Sequence, residues 1–450
     1  MASPIKISDI SDNGSREISD EVAIRLRRFA GIKLEELSKR NPRLLVFPHC
    51  LGDNGDDIGK ECLFSLGGES LHVGNVVGFW EVDNIHVHVH SRFDTDKRQY
   101  FFHYMLQRVG GVNVLDMHTM PDEEDVWDFL IYLFPLLLKK AMAQGVFRTY
   151  RVFEYNDDHL RGNINVARFL RRDIPFGGRI AYSTREHTPN NHVIQLVRHT
   201  VEFIRRRNPM LLTMDSEMRQ AVGSIVQITP DYDEHERGRV VSQNLRPVRH
   251  PYYSAYTALQ KICLQILRHE RITFGEKNGD ICGIVFDAAW LWEEYLAKIF
   301  SGSKAFAGVI HPQNKLGKSP VYFLHPNLSP HYPDFYDEKR RVVMDAKYKR
   351  LENNGIGRDD LFQLISYMHV LKYDKGALVF PSHDTACRPE GVLNGFGGYI
   401  GLLSLAVPNT ESVVTFQEFA LQLQNAEEDF LRTAEDAIHN AWNNRAGEVS

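Results

Sequence analysis

The chain has little cysteine and lacks a long apolar run. Its 450 residues include 5 cysteines, which are scattered and form no CxxC pair, so neither a disulfide framework nor a cysteine-based zinc site is expected. The strongest apolar run, FLIYLFPLLL at 129–138, is far shorter than the about 20 residues that cross a bilayer. The first residues lack the apolar core of a signal peptide. We therefore expect a cytoplasmic protein that has no membrane partner.

An excess of positive charge and a complete nucleotide-binding loop are also missing. Lys and Arg number 53 and Asp and Glu 58, a net charge of −5, so any contact with nucleic acid must be local. The segment from Gly55 to Lys60 lacks the spacing and the Ser/Thr of a P-loop. Gly317-Lys318-Ser319 has Pro312 where that motif requires its first glycine. We expect this chain to bind no nucleotide.

Length and composition indicate a folded protein of more than one domain. Hydrophobic residues make up 43% and charged residues 25%, as in globular proteins. Residues 1–120 have the alternation and turns of a β-rich module, residues 121–279 are mostly helical with an irregular Arg-rich stretch at 147–190, and residues 280–450 alternate helices with strands. We expect an α/β protein whose C-terminal part contains a mixed sheet.

The sequence pattern of the last third of the chain predicts which helices and strands surround that sheet. A helix is expected from Asp287, its N-cap, to Gly302. Later segments alternate in type: predicted strands at 305–310, 321–326, 332–336 and 341–348, a helix at 359–373, and strands at 376–381 and 397–407.

The segment RVVMDAKY, residues 341–348, places an acid beside a lysine. Alternate residues of a strand share a face, so Asp345 and Lys347 point the same way. Asp334 lies on the preceding strand, and a hairpin through the charged turn at 337–340 would bring it near Asp345. Two carboxylates bind a hard divalent cation through oxygen, and a lysine can offset charge that develops on a phosphate.

An exposed cross-strand ion pair is the competing interpretation, since such pairs are common and weak. Asp-x-Lys alone has little meaning: Asp337-Glu338-Lys339 repeats it in a turn that we expect to be hydrophilic. The wider context favours a site, because the following helix carries Gln363 and Tyr367 four residues apart on one face, which can point back to the carboxylates.

These motifs resemble the PD-(D/E)XK nuclease superfamily and, within it, the McrC family of McrBC modification-dependent restriction systems. The resemblance covers about residues 75–430 and is strongest at 280–407. It is carried by short motifs: Pro333-Asp334-Phe335, Asp345-Ala346-Lys347-Tyr348-Lys349, Gln363-Leu364-Ile365-Ser366-Tyr367, Leu291-Trp292-Glu293, Leu160-Arg161-Gly162 and Thr188-Pro189-Asn190-Asn191. The first seventy residues match poorly.

The resemblance implies a fold, an activity and partners. Residues 280–450 would form a PD-(D/E)XK nuclease domain, in which Asp334 and Asp345 bind Mg²⁺ (or Mn²⁺), Glu293 supports the metal site and Lys347 is catalytic. An McrB-like AAA+ GTPase would be the partner, and double-stranded DNA carrying 5-methylcytosine the substrate. Two alternatives stay open: a subunit that chiefly assembles and activates the GTPase, and a stand-alone nuclease.

Two further features have plainer explanations. His86, His88 and His90 alternate on one strand, where they form a row rather than a metal cage, so a half-exposed polar face is favoured. The arginines between 161 and 179 could follow a phosphate backbone, but a solvated surface accounts for them equally well.

Overall fold

The computed structural model describes most of the chain, namely residues 5–8, 15–41, 44–48, 60–68, 70–83, 85–94, 99–110, 130–268, 281–312, 320–351, 355–395, 397–409, 413 and 415–441. The chain divides into two compact units, Met1–Val126 with Phe274–Ser450, and Trp127–Thr273. Both contain helices and strands, so the predicted mixed α/β class is confirmed. In the described part of the chain, no helix is long and apolar enough to cross a membrane.

The described strands are β1 (Ile5–Ser8), β2 (Ser15–Glu17), β3 (Leu44–Phe47), β4 (Phe64–Gly67), β5 (Ser70–Val73), β6 (Val76–Val82), β7 (Ile85–His90), β8 (Thr149–Asp157), β9 (Asn163–Ile164), β10 (Ile180–Thr188), β11 (Cys282–Asp287), β12 (Val321–Leu324), β13 (Leu328–His331), β14 (Phe335–Asp337), β15 (Val342–Ala346), β16 (Lys375–Ser382), β17 (Ala386–Val392) and β18 (Tyr399–Ala406).

The described α-helices are α1 (Asp20–Leu26), α2 (Leu34–Arg40), α3 (Tyr100–Gly110), α4 (Leu130–Ala143), α5 (Val166–Arg172), α6 (His192–Arg207), α7 (Ser216–Ile228), α8 (Arg237–Gln243), α9 (Ala255–Arg268), α10 (Ala288–Gly302), α11 (Arg358–Leu371) and α12 (Phe416–Asp436). Shorter helical segments are the 3-10 helices Pro209–Leu212 and Glu234–Glu236 and a π-helical turn at Ala437–Ala441.

A five-stranded sheet near the N-terminus is completed by a strand from the last third of the chain. Its order is β1-β7-β6-β11-β3, with β11 antiparallel to β6 and parallel to β3. Two glycines let β6 and β11 approach each other: a Cβ on Gly78 would lie 2.3 Å from the carbonyl oxygen of Ile284, and one on Gly283 would lie 2.3 Å from that of Phe79. The domain boundary that we predicted at residue 280 therefore separates β11 from the strands with which it pairs.

A second five-stranded sheet positions the predicted site. Its order is β14-β15-β16-β18-β17; the inner pairs β15–β16 and β16–β18 are parallel, and the outer pairs are antiparallel. The helix α11 connects β15 to β16, as parallel neighbours require. Its apolar side packs on the sheet through Leu364 and Met368, which join a core with Val343, Leu378 and Leu402. The predicted mixed sheet in this part of the chain is confirmed.

One predicted strand of the last third is wrong. Residues 305–310 form turns after α10, and Ile310 alone makes an isolated bridge, to Tyr336. Their main chain bonds locally instead, for example from Val309 N to the carbonyl of Phe306 at 2.9 Å. A side chain larger than that of Gly308 would crowd the carboxylate of Asp337, since a Cβ there would lie 3.1 Å from Asp337 Oδ2.

The unit Trp127–Thr273 contains the amphipathic helices that we predicted and a sheet that we did not. The helices α6 and α9 confirm the apolar periodicity near 193–204 and 255–267. The expectation that residues 147–190 are irregular is wrong: β8 and β10 pair antiparallel over nine residues each, from Thr149–Thr188 to Asp157–Ile180. β8 has no buried residue, so its sequence lacks the apolar alternation by which a strand is usually recognised.

Candidate active site

Asp334 and Asp345 lie side by side on the β14–β15 hairpin. The last registered pair on this side of the hairpin is Phe335 with Met344, and one step further along the same register is Asp334 with Asp345. Asp345 is 1% exposed and lies on β15, between β14 and β16. The carboxylate of Asp334 accepts a hydrogen bond from the main-chain N–H of Ala346 at 2.6 Å, which fixes one of its two oxygens against β15.

Lys347 closes the side of this pair that faces α11. Its Nζ lies 2.6 Å from Asp345 Oδ2 and donates to Gln363 Oε1 at 2.9 Å. Its main-chain N–H donates to the carbonyl of Val379 on β16 at 2.8 Å, so the sheet continues one residue past β15 and fixes the lysine. Burial disfavours the charged ammonium group, but the carboxylates of Asp345 and Asp334 outweigh it and raise the pKa of Lys347. The ammonium therefore stays protonated at neutral pH.

The two predicted helix residues behave differently although they share a face of α11. Gln363 reaches Lys347, as described above. Tyr367 is 5% exposed and packs edge-on against Phe323, with ring centroids 5.7 Å apart. Its hydroxyl donates to the carbonyl of Tyr332 at 3.2 Å, two residues before Asp334. Tyr367 thus supports the segment that leads into β14 and contains Asp334, and its ring is part of the core.

Glu293, the predicted supporting residue, lies on α10 next to His311. Its Oε1 is 3.6 Å from His311 Nδ1, and the same nitrogen is 2.8 Å from the main-chain oxygen of Asp334. The ring of His311 stacks on Phe335, with centroids 4.9 Å apart. The helix begins as predicted, with the side chain of Asp287 accepting from the N–H groups of Ala289 and Trp290. His311 thus connects Glu293 to the main chain of Asp334, directly before β14, and sequence reasoning missed it.

Asp360 and Lys349 were also missed. The carboxylate of Asp360 accepts from Lys349 Nζ at 3.0 Å and 3.1 Å and lies 3.5 Å from Lys347 Nζ. A signal was present, because Asp360 comes three residues before Gln363 and so shares its helix face. We gave it no weight because acidic residues are common in the first turn of a helix, where they suit the dipole.

The second Asp-x-Lys, at 337–339, is not the hydrophilic surface turn that we expected. Asp337 is 1% exposed. Its carboxylate accepts from the main-chain N–H groups of Lys339 and Arg340 at 2.9 Å and 3.0 Å and pairs with the guanidinium of Arg340 at 3.0 Å. Asp337 organises the turn from inside, at the end of the hairpin away from Lys347. We predicted an exposed Asp337 because a turn that is organised by a buried carboxylate contains the same residue types as a turn at the surface.

The donor atoms next to Lys347 are of the type that hard divalent cations prefer. Asp334 and Asp345 offer carboxylate oxygens, and such ions bind oxygen ligands. Within the described ranges, no three His, Cys, Asp or Glu side chains are grouped so that they could hold a metal ion. The described row of histidines on β7 is therefore no such group. A cation held by Asp334 and Asp345 would therefore complete its shell with main-chain carbonyls, water or substrate, as Mg²⁺ often does. Because they offer oxygen ligands, Asp334 and Asp345 are suitable residues to hold Mg²⁺ or Mn²⁺.

Several sequence features fall outside the residues that the structure describes. Gly55–Gly59 of the first P-loop-like segment and all of Gly317–Ser319 belong to this group. The two middle-region motifs are described and have local structural roles. A Cβ on Gly162 would lie 2.2 Å from the carbonyl oxygen of Ser183, and Asn191 caps α6 through the N–H groups of Val193 and Ile194.

Comparison with known proteins supports the predicted resemblance. The family model of the McrBC 5-methylcytosine restriction system component matches residues 71–381, more than half of the 450 residues. No curated protein matches the chain.

Two solved structures are distantly similar. One is a half-complex from a tetradecameric assembly of Thermococcus gammatolerans McrB AAA+ hexamers with bound McrC, at 16% identity and TM-score 0.48, covering 96% of this chain and 100% of that one. The other is the cryo-EM structure of the Thermococcus gammatolerans McrBC complex, at 16% identity and TM-score 0.31, covering 66% of this chain and 87% of that one. Both likenesses are too weak to carry an argument, and the assignment follows from the family match. The chain belongs to the family of McrBC 5-methylcytosine restriction system components.

Proposed function

We propose that this chain is the nuclease subunit of an McrBC-type restriction system and hydrolyses DNA phosphodiester bonds with Mg²⁺. The observation that carries the proposal is the contact of Lys347 Nζ with buried Asp345 at 2.6 Å, with Asp334 directly before the adjacent strand β14. An acid pair beside a lysine, on a mixed sheet with a helix between β15 and β16, is the arrangement that the resemblance to PD-(D/E)XK nucleases implies.

A purely structural ion pair is the main competing explanation. Burying a carboxylate and an ammonium together costs about as much desolvation energy as their attraction returns, so such a pair is a poor way to stabilise a fold. The side chain of Lys347 is still 16% exposed, and its partner Gln363 is exposed on α11. Lys347 and Gln363 therefore form the solvent-facing side of this pair, from which a substrate phosphate would approach.

The role that we propose for each residue follows from the charge of its side chain. Asp334 and Asp345 would hold the cation, which when bound polarises the scissile phosphate and lowers the pKa of its bound water. Lys347 keeps its proton because its carboxylate neighbours raise the pKa of its ammonium group, so it acts as a positive charge and hydrogen-bond donor toward the phosphate. Gln363 holds that ammonium group in place through its side-chain oxygen.

The proposed partner is an McrB-like AAA+ GTPase, and the proposed substrate is double-stranded DNA with modified cytosine. The description of the family to which the chain belongs names the McrBC system and 5-methylcytosine. In this chain, the unit Trp127–Thr273 exposes many apolar side chains on and around β8 and α5, as expected for a surface that binds another protein. They are Tyr150, Val152, Leu160, Ile164, Val166, Leu170, Ile174 and Phe176.

The test compares the roles of the acid and the lysine in the full-length chain with its partner GTPase. Asp345→Asn should lose both DNA cleavage and Mn²⁺ affinity, whereas Lys347→Ala should lose cleavage but retain more of the Mn²⁺ affinity. Both variants should still stimulate GTP hydrolysis, because the proposed partner surface is formed by residues of the unit Trp127–Thr273, which neither substitution changes. Equal Mn²⁺ affinity in the wild type and Asp345→Asn would show that the carboxylate is not a ligand. Wild-type chain that stimulates GTP hydrolysis but cuts no DNA would favour the assembly subunit.

A further inference from the structure

We propose that Asp360 is a positioning residue, which holds the ammonium group of Lys347 while Asp345 binds the cation. This inference rests on the proposed nuclease function. Asp360 lies in the first turn of α11 and is 8% exposed. Its Oδ1 is 3.5 Å from Lys347 Nζ, on the helix side of the lysine.

The carboxylate of Asp360 contacts two lysines. Its two oxygens accept from Lys349 Nζ at 3.1 Å and 3.0 Å, in addition to the contact with Lys347. The side chain of Lys349 is 54% exposed. One carboxylate thus contacts two ammonium groups and holds both beside the proposed cleavage centre.

The need for this anchor follows from the charge of the cation. In the structure, Lys347 Nζ lies 2.6 Å from the carboxylate of Asp345 and 3.5 Å from that of Asp360. A divalent cation held by Asp345 would repel the ammonium group of Lys347 and weaken its contact with Asp345. Gln363 is neutral and cannot replace the lost charge. Asp360 lies on a different element, α11, so its negative charge remains available to Lys347 when the cation is present.

An acid in the first turn of a helix has an ordinary explanation that must be separated from this one. A negative charge at this position interacts favourably with the helix dipole, whatever the side chain contacts. Asp359 provides the matched control, because it lies in the same turn of α11 but is exposed and makes no hydrogen bond or ion pair among the described residues. A dipole effect alone would make Asp359→Asn and Asp360→Asn equivalent.

The experiment measures steady-state cleavage of a plasmid containing 5-methylcytosine by the full-length chain with its partner GTPase and Mg²⁺. Asp360→Asn should lower kcat at least about tenfold relative to Asp359→Asn, with little change in KM for DNA, because the lysine is misplaced in the transition state and not in binding. Its Mn²⁺ affinity should equal that of the wild type, which separates positioning from metal ligation. Asp360→Glu, which keeps the charge, should recover most of kcat.

Two results would overturn the inference. One is a kcat for Asp360→Asn within about twofold of the kcat for Asp359→Asn. The other is a loss of kcat that follows the melting temperature and is not restored by Asp360→Glu, which would mark Asp360 as a residue of the fold alone. Asp345→Asn is measured in parallel: if it cuts at the wild-type rate, the proposed centre itself is wrong, whereas an inactive Asp345→Asn beside a normal Asp360→Asn rejects only the role of Asp360.

Discussion

The hydroxyls of Ser91 and Tyr348 lie 2.5 Å apart, although the two residues are 257 positions apart in the chain. Tyr348 directly follows Lys347, and Ser91 directly follows β7. Phe93 packs edge-on against Tyr348 with ring centroids 5.0 Å apart, and the guanidinium of Arg350 donates to the carbonyl of Arg92 at 2.6 Å. The N-terminal sheet therefore holds the segment that carries the proposed catalytic lysine.

Tyr348→Phe tests whether this contact matters for the site. The substitution keeps the ring but removes the hydrogen bond to a buried serine, so the free energy of unfolding should fall by about 1–2 kcal/mol in urea titrations. Cleavage should slow several-fold while Mn²⁺ affinity is retained. Tyr322→Phe is the control, because Tyr322 is 40% exposed on β12. Equal effects of the two substitutions would show that the N-terminal contact does not influence Lys347.

Asp337→Ala should destabilise the protein without removing a cleavage group. The substitution deprives two main-chain N–H groups and the guanidinium of Arg340 of a buried acceptor, which costs about 2–3 kcal/mol in the free energy of unfolding. Below the melting temperature, the variant should still cut DNA. Glu338→Ala, at an exposed neighbour, should be close to wild type in both assays. An Asp337→Ala protein of normal stability would contradict the turn-organising role.

Sequence predicted the hairpin, its acids and Lys347 because these features are local. Period-two alternation placed Asp345 and Lys347 on one face, and the turn at 337–340 fixed the return of the chain. The pairing of β11 with β3 could not be predicted, since it joins residues more than two hundred positions apart. The burial of Asp337 was missed for a different reason: it depends on hydrogen bonds that the same residues would also make at a surface.

The other residues near the site, Asp360 and His311, were not predicted because their residue types and positions have common structural roles. Asp360 looks like an ordinary helix-start acid, and His311 directly follows the segment 305–310, which was predicted as a strand. Their contacts with Lys347 and with the main chain of Asp334 come from packing between elements. Single-sequence patterns do not encode such contacts.

Cleavage should require a divalent cation and prefer Mg²⁺ or Mn²⁺ to Zn²⁺. Asp334 and Asp345 offer hard oxygen ligands, which suit the first two ions. Plasmid cutting should stop in excess EDTA and return when Mg²⁺ is added in excess. Undiminished cutting in EDTA would rule out the proposed chemistry.

Stability should fall in acid because of His199. This residue is 3% exposed on α6, and burial, with help from Arg237 and Arg198, lowers its pKa to about 4. A histidine with a depressed pKa contributes stability that is present above its unfolded pKa of 6.5 and is lost as pH falls toward 4. Urea titrations should give a loss on the order of 2 kcal/mol between pH 7 and pH 5.

His199→Gln should reduce that dependence, because glutamine does not titrate. His235→Gln, at an exposed position, serves as the control and should keep the wild-type slope. An unchanged pH dependence in His199→Gln would assign the acid sensitivity to other groups.

The most direct test of the account is the rate at which Asp345→Asn cuts 5-methylcytosine plasmid in the presence of Mg²⁺, GTP and the partner GTPase. The substitution keeps the size of a side chain that is 1% exposed but removes the charge that holds both Lys347 and the proposed cation. We predict no cutting above background from a folded variant that still stimulates GTP hydrolysis. Cutting at the wild-type rate would contradict the assignment of Asp334, Asp345 and Lys347 as the nuclease centre.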